Sequence, residues 1–230
     1  MDFLKKIFAP KKDLIKGLKN IFGLGRNYGG LIAHLNLVDF WSELTEEERE
    51  KIRDYHTAGF DRPDIDVDDS EFTSDHPDFT SDYIKEISRS ASKFLYSMAD
   101  WAISSKEYDL AEKILNKALE ESSNPVDLHY TYDALIKLYY QLRDRPGYLE
   151  KCIEICHYDI DLYENLLGEK EEFQGEDTII PAFQRLAIIY EKQEKYQKAL
   201  EIARKASSYG LSDTTKTGFT GRIERLEKKI

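Results

Sequence analysis

The stretches YDLAEKILNKALE (Tyr108–Glu120) and YQKALEIARKASS (Tyr196–Ser208) decide the fold of this 230-residue chain. Each begins with tyrosine and then places small or aliphatic residues at steps of three, four and three. These residues are Ala111, Leu115 and Ala118 in the first stretch and Ala199, Ala203 and Ala206 in the second. The spacing puts them on one stripe of a helix, where a second helix can approach closely. Two copies of such a stripe predict a repeated array of packed helix pairs.

Helical periodicity covers most of the chain after residue 82. The predicted helices span residues 83–105, 108–122, 127–143, 147–167, 178–193, 195–209 and 214–229. The last of them carries Phe219, Ile223, Leu226 and Ile230 on one stripe, which is typical of a helix that caps the open end of an array. No strand-like alternation competes with this pattern, so the sequence predicts an all-α protein.

The first 82 residues differ from this repetitive part. Residues 1–30 form a basic segment with two short amphipathic pieces separated at Pro10. Residues 31–82 are predicted to be a helical extension with an acidic loop, since Thr45 and Glu48 make a capping-box pattern for a helix through about His56. Residues 57–81 show no periodicity. The predicted domains are therefore 1–30, 31–82 and 83–230.

Composition and charge narrow the classes of function. A formal net charge of -11 argues against nucleic acid as the main partner, because phosphate binding requires a basic face. No apolar run reaches the length needed to cross a bilayer. Cys152 and Cys156 lie one helical turn apart, a spacing at which disulfides are strained, so we expect a reducing, cytoplasmic environment.

The sequence contains no recognisable catalytic or metal-binding constellation. The run Asp64-x-Asp66-x-Asp68 resembles the start of a calcium loop but has Asp69 where the sharp turn needs glycine. Cys152, Cys156 and His157 have no second pair to complete a zinc site, and buried cysteines that replace alanine at a helix contact are the better interpretation. We therefore predict a non-enzymatic protein without cofactor or metal.

Residues 92–120 and 180–208 resemble tetratricopeptide repeats. The later unit has Leu186, Ala187 and Tyr190 before its alanine stripe, and the earlier unit has Leu95, Met98, Ala99 and Ala102. A middle unit departs from the pattern, with Cys152 and Cys156 at positions for small residues and Asp159 where the last alanine would stand. The resemblance implies a right-handed, TPR-like stack of about three helix pairs with a C-terminal capping helix and a helical N-terminal extension.

In this family the first helices of the pairs line a concave groove that takes a peptide or a partner helix. Carried over by position, the groove residues are Lys93, Tyr96, Asp100, Ile136, Tyr140, Arg143, Gln184, Arg185, Ile188 and Lys192. Tyr96 and Asp100 stand where a carboxylate clamp would need lysine and asparagine, so the resemblance does not extend to that ligand class. The implied function is a protein-interaction adaptor or scaffold with a protein or peptide partner.

Three alternatives stay open at this point. The groove residues are equally well read as solvated helix faces or as faces covered by the N-terminal extension. The basic residues 1–24 either pack on the array, dock a partner, or anchor the protein at a membrane surface. A peptide-sensing regulatory protein is the third alternative.

Overall fold

Every regular element in the described part of the chain is a helix. The computed structural model describes residues 28–59, 89–168, 170, 173 and 178–230. Within these residues there is no strand, and an isolated parallel bridge joins Ile179 to Ser212. The prediction of an all-α fold is therefore confirmed for the described residues. The chain divides into two compact units, Met1–Ser122 and Ser123–Ile230, so the division falls inside the predicted 83–230 domain.

The described helices of the first unit are two short ones and three longer ones. They are α1 (Gly30–His34), α2 (Val38–Glu43), α3 (Glu46–Gly59), α4 (Ala91–Ser104) and α5 (Tyr108–Glu121). Helices α4 and α5 pack together as a pair, and α3 packs on α4. Trp41, Ile52 and Phe94 are almost completely buried in this unit.

The predicted capping box starts α3 and also ties it to α5. Thr45 N donates to Glu48 Oε2 at 2.7 Å, and Glu48 N donates to Thr45 Oγ1 at 3.2 Å. Lys113 Nζ on α5 lies 3.0 Å from both oxygens of the Glu48 carboxylate. Burial alone would raise the pKa of Glu48, but the bonds from Thr45 and Lys113 outweigh it and lower that pKa.

The second unit contains two helix pairs and a final helix. Its elements are α6 (Pro125–Gln141), α7 (Tyr148–Leu162) with a π-helical turn (Tyr163–Leu167), α8 (Pro181–Lys192), α9 (Tyr196–Ser208) and α10 (Gly218–Glu227). Helix α6 packs on α7 and on α8, α7 packs on α8, α8 packs on α9, and α10 packs on α9.

Local capping explains where the helices begin. Ser90 accepts a hydrogen bond from the backbone N of Lys93 at 3.0 Å, so α4 begins at Ala91 rather than at residue 83. Asn124 accepts from the backbone N of Asp127 at 2.9 Å ahead of α6. The start predicted at residue 214 moves to Gly218, because Asp213 Oδ1 accepts from Thr215 N at 2.8 Å and holds a turn there.

The alanine stripe lies in the helix contacts as predicted. Ala111 and Ala118 in α5, and Ala199, Ala203 and Ala206 in α9, have no exposed surface. Side chains of this size let neighbouring helices approach closely, and larger ones at these positions would force the helices apart. The stripe is thus a determinant of helix packing in each unit.

Replacing Ala203 with leucine is expected to lower the free energy of unfolding by about 1–3 kcal/mol, because the added carbons enter a filled contact. Gln197→Leu on the exposed face of the same helix is the matched control, with an expected change within about 0.5 kcal/mol. Urea unfolding of both variants measures the difference. Equal stability of the two variants would show that the contact has room to spare.

The final helix differs in detail from its predicted apolar stripe. Phe219 and Leu226 are buried, which agrees with the stripe, but Ile230 is 63% exposed. Ile223 is only half-buried, and Arg222 beside it is 4% exposed. The burial of Arg222 is possible because Asp213 and Glu191 neutralise its charge. Arg222 Nη2 lies 3.2 Å from Asp213 Oδ2, and Arg222 Nη1 contacts Glu191 Oε1.

Some predictions concern residues that the structure does not describe. The basic segment 1–24 and the Asp64-x-Asp66-x-Asp68 run lie outside the described residues, as does most of the predicted acidic loop.

Helix α3 extends to Gly59, a little beyond its predicted end. Among the described helices, none is both long and apolar enough to cross a membrane.

Candidate functional site

Four of the predicted groove residues come together on the second unit around one tyrosine. Tyr140 lies near the end of α6, Arg143 follows that helix, and Arg185 and Lys192 lie on α8. Arg185 and Lys192 are seven residues apart, which places them on one helical face. The packing of α6 on α8 brings this face to Tyr140. These four residues are called the Tyr140 cluster below.

Three cationic groups surround the ring of Tyr140. The guanidinium carbon of Arg185 lies 3.8 Å from the ring centre and that of Arg143 lies 4.7 Å away. The Lys192 ammonium lies 5.5 Å from the ring centre and donates to the phenol oxygen at 3.0 Å. Arg143 Nη1 donates to the backbone carbonyl of Tyr140 at 2.8 Å. Cations over an aromatic face are attracted by its electrons, so the tyrosine positions all three charges.

The described part of the chain neutralises little of the charge of the cluster. Asp144 lies 3.9 Å from Arg143, but its side chain is 89% exposed, and such a pair contributes little. Among the described residues, no carboxylate forms an ion pair with Arg185 or Lys192, whereas Arg222 of the same unit contacts two. The Tyr140 cluster is therefore a concentrated positive site on a chain of net charge -11.

The same cations act on the phenol of Tyr140. Burial alone would raise the pKa of Tyr140, but the hydrogen bond from Lys192 and the charges of Lys192 and Arg185 outweigh it and lower that pKa. A phenol of lowered pKa is a stronger hydrogen-bond donor. The cluster thus presents positive charge and a polarised hydroxyl group together.

The two cysteines lie beside Arg185. Cys152 and Cys156 are free and have no exposed surface, which confirms that they are buried at a helix contact. The thiol of Cys152 donates to the carbonyl of Ile136 at 3.7 Å. The hydrogen bond with Cys156 lowers the pKa of Cys152; burial opposes this effect, and the charge of Arg185 adds to it. Burial raises the pKa of Cys156. Their burial makes them packing residues.

His157, which follows the two cysteines in sequence, makes a hydrogen bond to another helix. His157 Nε2 lies 3.0 Å from the hydroxyl of Tyr190 in a partly buried hydrogen bond. No group of three or more histidine, cysteine or acidic side chains lies close enough to hold a metal ion within the part of the chain that the structure describes.

The other predicted groove residues of the second unit have different environments. Ile188 is half-buried on α8, and Gln184 Nε2 donates to Thr214 Oγ1 at 2.7 Å. Ile136 is 1% exposed, so its side chain belongs to the core and offers no surface to a partner. Ile136 lies four residues before Tyr140 on the same face of α6, and spacing does not show which residues of that face the neighbouring helices cover.

The first unit holds the remaining three predicted groove residues. Lys93, Tyr96 and Asp100 follow one another on α4 at steps of three and four and therefore share a helical face. Lys93 is exposed, and Tyr96 and Asp100 are half-buried. The backbone carbonyls of Lys93 and Asp100 each accept a serine hydroxyl at 2.8 Å.

A buried polar cluster in the second unit was not predicted. His129 Nδ1 on α6 lies 2.7 Å from Asp159 Oδ1 on α7, and both side chains are almost completely buried. The hydroxyl of Tyr132 and the second oxygen of Asp159 are buried and have no hydrogen-bond partner among the described residues. The sequence held one signal, since Asp159 stands where the repeat pattern expects alanine.

Comparison with known proteins adds one distant relative. The chain is 23% identical over 193 residues to an uncharacterised protein of Aquifex aeolicus (strain VF5). The similarity covers 84% of this chain and 90% of that protein, and it is longer than either unit alone. No family model matches the chain. No solved structure matches it either. The similarity thus extends over both units without assigning an activity.

Proposed function

We propose that this protein is a non-catalytic adaptor that binds an acidic segment of a partner protein at the Tyr140 cluster. The observation that carries the proposal is the convergence of Arg143, Arg185 and Lys192 on one tyrosine, with no ion pair to Arg185 or Lys192 within the described chain. Arginine and tyrosine are the residue types that most often anchor protein interfaces. An acidic peptide supplies the negative charge that the described residues do not provide.

The proposal includes a TPR-like architecture for the helix pairs. Helices α6 and α7 form one repeat, α8 and α9 form the next, and α10 caps the second pair. The contacts of α8 with both α6 and α7 support this, since stacked repeats bury each new pair against the preceding one. The right-handed sense and the inclusion of α4 and α5 as a further repeat rest on the sequence resemblance.

Recognition in this proposal depends on both charge and preorganisation. Arg185 is stacked on Tyr140 and Lys192 is hydrogen-bonded to it, so little side-chain freedom remains to be lost on binding. Tyr140 and the half-buried Ile188 contribute apolar contact area beside the charges. The charged groups select an acidic segment, and the apolar area holds it.

The compartment is part of the proposal as well. Cys152 and Cys156 are free and lie one helical turn apart in α7, and a reducing compartment keeps thiols in that state. We propose a cytoplasmic location for the protein, where its partner would also lie.

The test combines partner capture with charge reversal. Partners captured by the wild type from a lysate are mapped on peptide arrays, and the bound segments are expected to be acidic. Arg143→Glu together with Lys192→Glu is expected to weaken binding at least about 100-fold, as loss of central interface anchors does. Binding is measured by calorimetry, and the wild-type affinity should fall as salt rises.

The control is Arg204→Glu on α9, which reverses a single charge. Arg204 is a 57% exposed arginine that pairs with Glu227 and lies outside the cluster, so its reversal changes the net charge without touching Tyr140. Circular dichroism checks that all variants are folded. Undiminished binding by the cluster variant, or equal losses in both variants, would contradict the proposal.

A further inference from the structure

The Tyr140 cluster carries more positive charge than one carboxylate neutralises. Its three cationic groups all lie within 5.5 Å of one ring centre. They are therefore mutually within about one Debye length, ~10 Å at 0.1 M salt, and their repulsion is not removed by salt. A ligand with two negative charges offsets this repulsion better than a ligand with one.

The cluster also has more hydrogen-bond donors than the two oxygens of one carboxylate can accept. Lys192 uses one of its three N–H groups on the Tyr140 hydroxyl, and Arg143 uses Nη1 on a backbone carbonyl. The Tyr140 oxygen accepts from Lys192, and its own O–H has no acceptor among the described residues. Two guanidinium groups and an ammonium group thus surround the Tyr140 ring and its hydroxyl group.

From this count we propose that the acidic ligand is a phosphate monoester on a serine, threonine or tyrosine side chain of the partner. A phosphate monoester carries nearly two negative charges at pH 7 and three strong acceptor oxygens. Its oxygens are shared among the arginine forks of Arg143 and Arg185, the Lys192 ammonium and the Tyr140 hydroxyl. Charge-assisted bonds of this kind are the stronger hydrogen bonds in proteins. The inference rests on the adaptor function proposed above and specifies its ligand.

Two other sources of phosphate fit the site less well. Nucleic acid presents a row of phosphates and needs an extended basic face, whereas this chain carries a net charge of -11 and the cluster has three cations. A membrane surface presents headgroups to a flat, broadly basic face. A side-chain phosphate on a peptide matches a single compact cluster built from α6, the turn after it and α8.

The test compares peptides that differ at one position. A set of fluorescent peptides with the same acidic flanks carries serine, glutamate, phosphoserine or phosphotyrosine at the centre, and anisotropy measures their affinities. At least one phosphorylated peptide is expected to bind 10-fold or more tighter than the glutamate peptide. Arg185→Lys, which keeps the charge but loses the fork, and Lys192→Gln should each remove most of that preference.

Partner capture supplies an independent arm, with Arg204→Gln as the control variant that keeps the preference. Phosphatase treatment of the lysate is expected to abolish cluster-dependent capture. Equal binding of the glutamate and phosphorylated peptides would overturn the phosphate inference and leave the adaptor function standing. Cluster-dependent binding to vesicles containing phosphoinositides, without binding to any phosphopeptide, would overturn both. Indifference of all binding to Arg185→Lys and Lys192→Gln would overturn both as well.

Discussion

Replacing Arg222 with alanine is expected to lower the free energy of unfolding by about 3–5 kcal/mol, because it removes one partner of a buried ion pair. Arg222 Nε and Nη2 lie 3.4 Å and 3.2 Å from Asp213 Oδ2, and Nη1 contacts Glu191. The side chain of Arg222 is 5% exposed and that of Asp213 is fully buried. The substitution leaves the carboxylate of Asp213 in the interior without a counter-charge.

The loss should extend beyond the ion pair itself. Asp213 also holds the turn before α10 through Thr215, so a displaced carboxylate loosens the start of that helix. Helix α10 packs on α9, and its loosening exposes Phe219 and Leu226. Urea denaturation measures the change, and hydrogen exchange should show the largest loss of protection in α10.

Arg225→Ala is the control for this prediction. Arg225 contacts the same Glu191 at 3.3 Å but is 50% exposed, so its removal should cost no more than about 1 kcal/mol. Adding Asp213→Asn to Arg222→Ala should recover part of the lost stability, since the unpaired charge is then gone. Similar effects of Arg222→Ala and Arg225→Ala would mean that the buried pair is not the source of stability.

The helices were predictable from the sequence because their signals are local. The stripe at Ala199, Ala203 and Ala206 and the capping box at Thr45 and Glu48 each lie within two helical turns, so spacing alone identifies them. Helix starts were less accurate. The start of α4 depends on Ser90, a single capping side chain, and apolar periodicity continues on both sides of it.

The buried polar contacts were not predictable because they join residues that are distant in sequence. His129 and Asp159 are 30 residues apart, and Arg222 and Glu191 are 31 apart. From sequence alone, a charged residue beside an apolar stripe is expected to be exposed to solvent, because its buried partner cannot be identified. The apolar stripe predicted for α10 therefore includes Ile223 and omits its neighbour Arg222.

The arrangement of the candidate site was not predictable from the sequence. The resemblance to tetratricopeptide repeats implies groove positions that include Tyr140, Arg143, Arg185 and Lys192. Their convergence on one ring depends on how α6 packs on α8, which spacing does not give. The same dependence on packing explains why Ile136 was assigned to the groove and lies in the core.

The second large effect is expected at Asp159, where the repeat pattern and the structure predict opposite results. Alanine is the residue that the pattern expects there, so the pattern alone predicts that Asp159→Ala is neutral or stabilising. In the structure the substitution leaves His129 buried without its hydrogen-bond partner and opens a small cavity. We expect a loss of about 2–4 kcal/mol in the free energy of unfolding.

The pH dependence of this loss separates the dyad from simple packing. Burial alone would lower the pKa of His129, but Asp159 and the charge of Asp133 outweigh it and raise that pKa, while burial raises the pKa of Asp159. A group whose pKa is raised by folding stabilises the folded state most at pH values below its pKa in the unfolded chain, which is about 6.5 for histidine. This stabilisation is lost as the pH rises through the pKa of the folded state. Both shifts have the same sign, so Asp159→Ala should cost more at pH 5.5 than at pH 8.

Asp159→Asn provides the matched comparison at both pH values. The amide oxygen of asparagine can still accept a hydrogen bond from neutral His129, so at pH 8 Asp159→Asn should lose less stability than Asp159→Ala. Asparagine carries no negative charge, so the stability that Asp159→Asn loses relative to the wild type should be larger at pH 5.5 than at pH 8. The double variant His129→Leu with Asp159→Ala removes both polar groups and should be more stable than Asp159→Ala alone. Chemical denaturation at the two pH values measures all four proteins. A loss that is the same at pH 5.5 and pH 8 would show that Asp159 acts through its volume and not through its proton-sharing contact with His129.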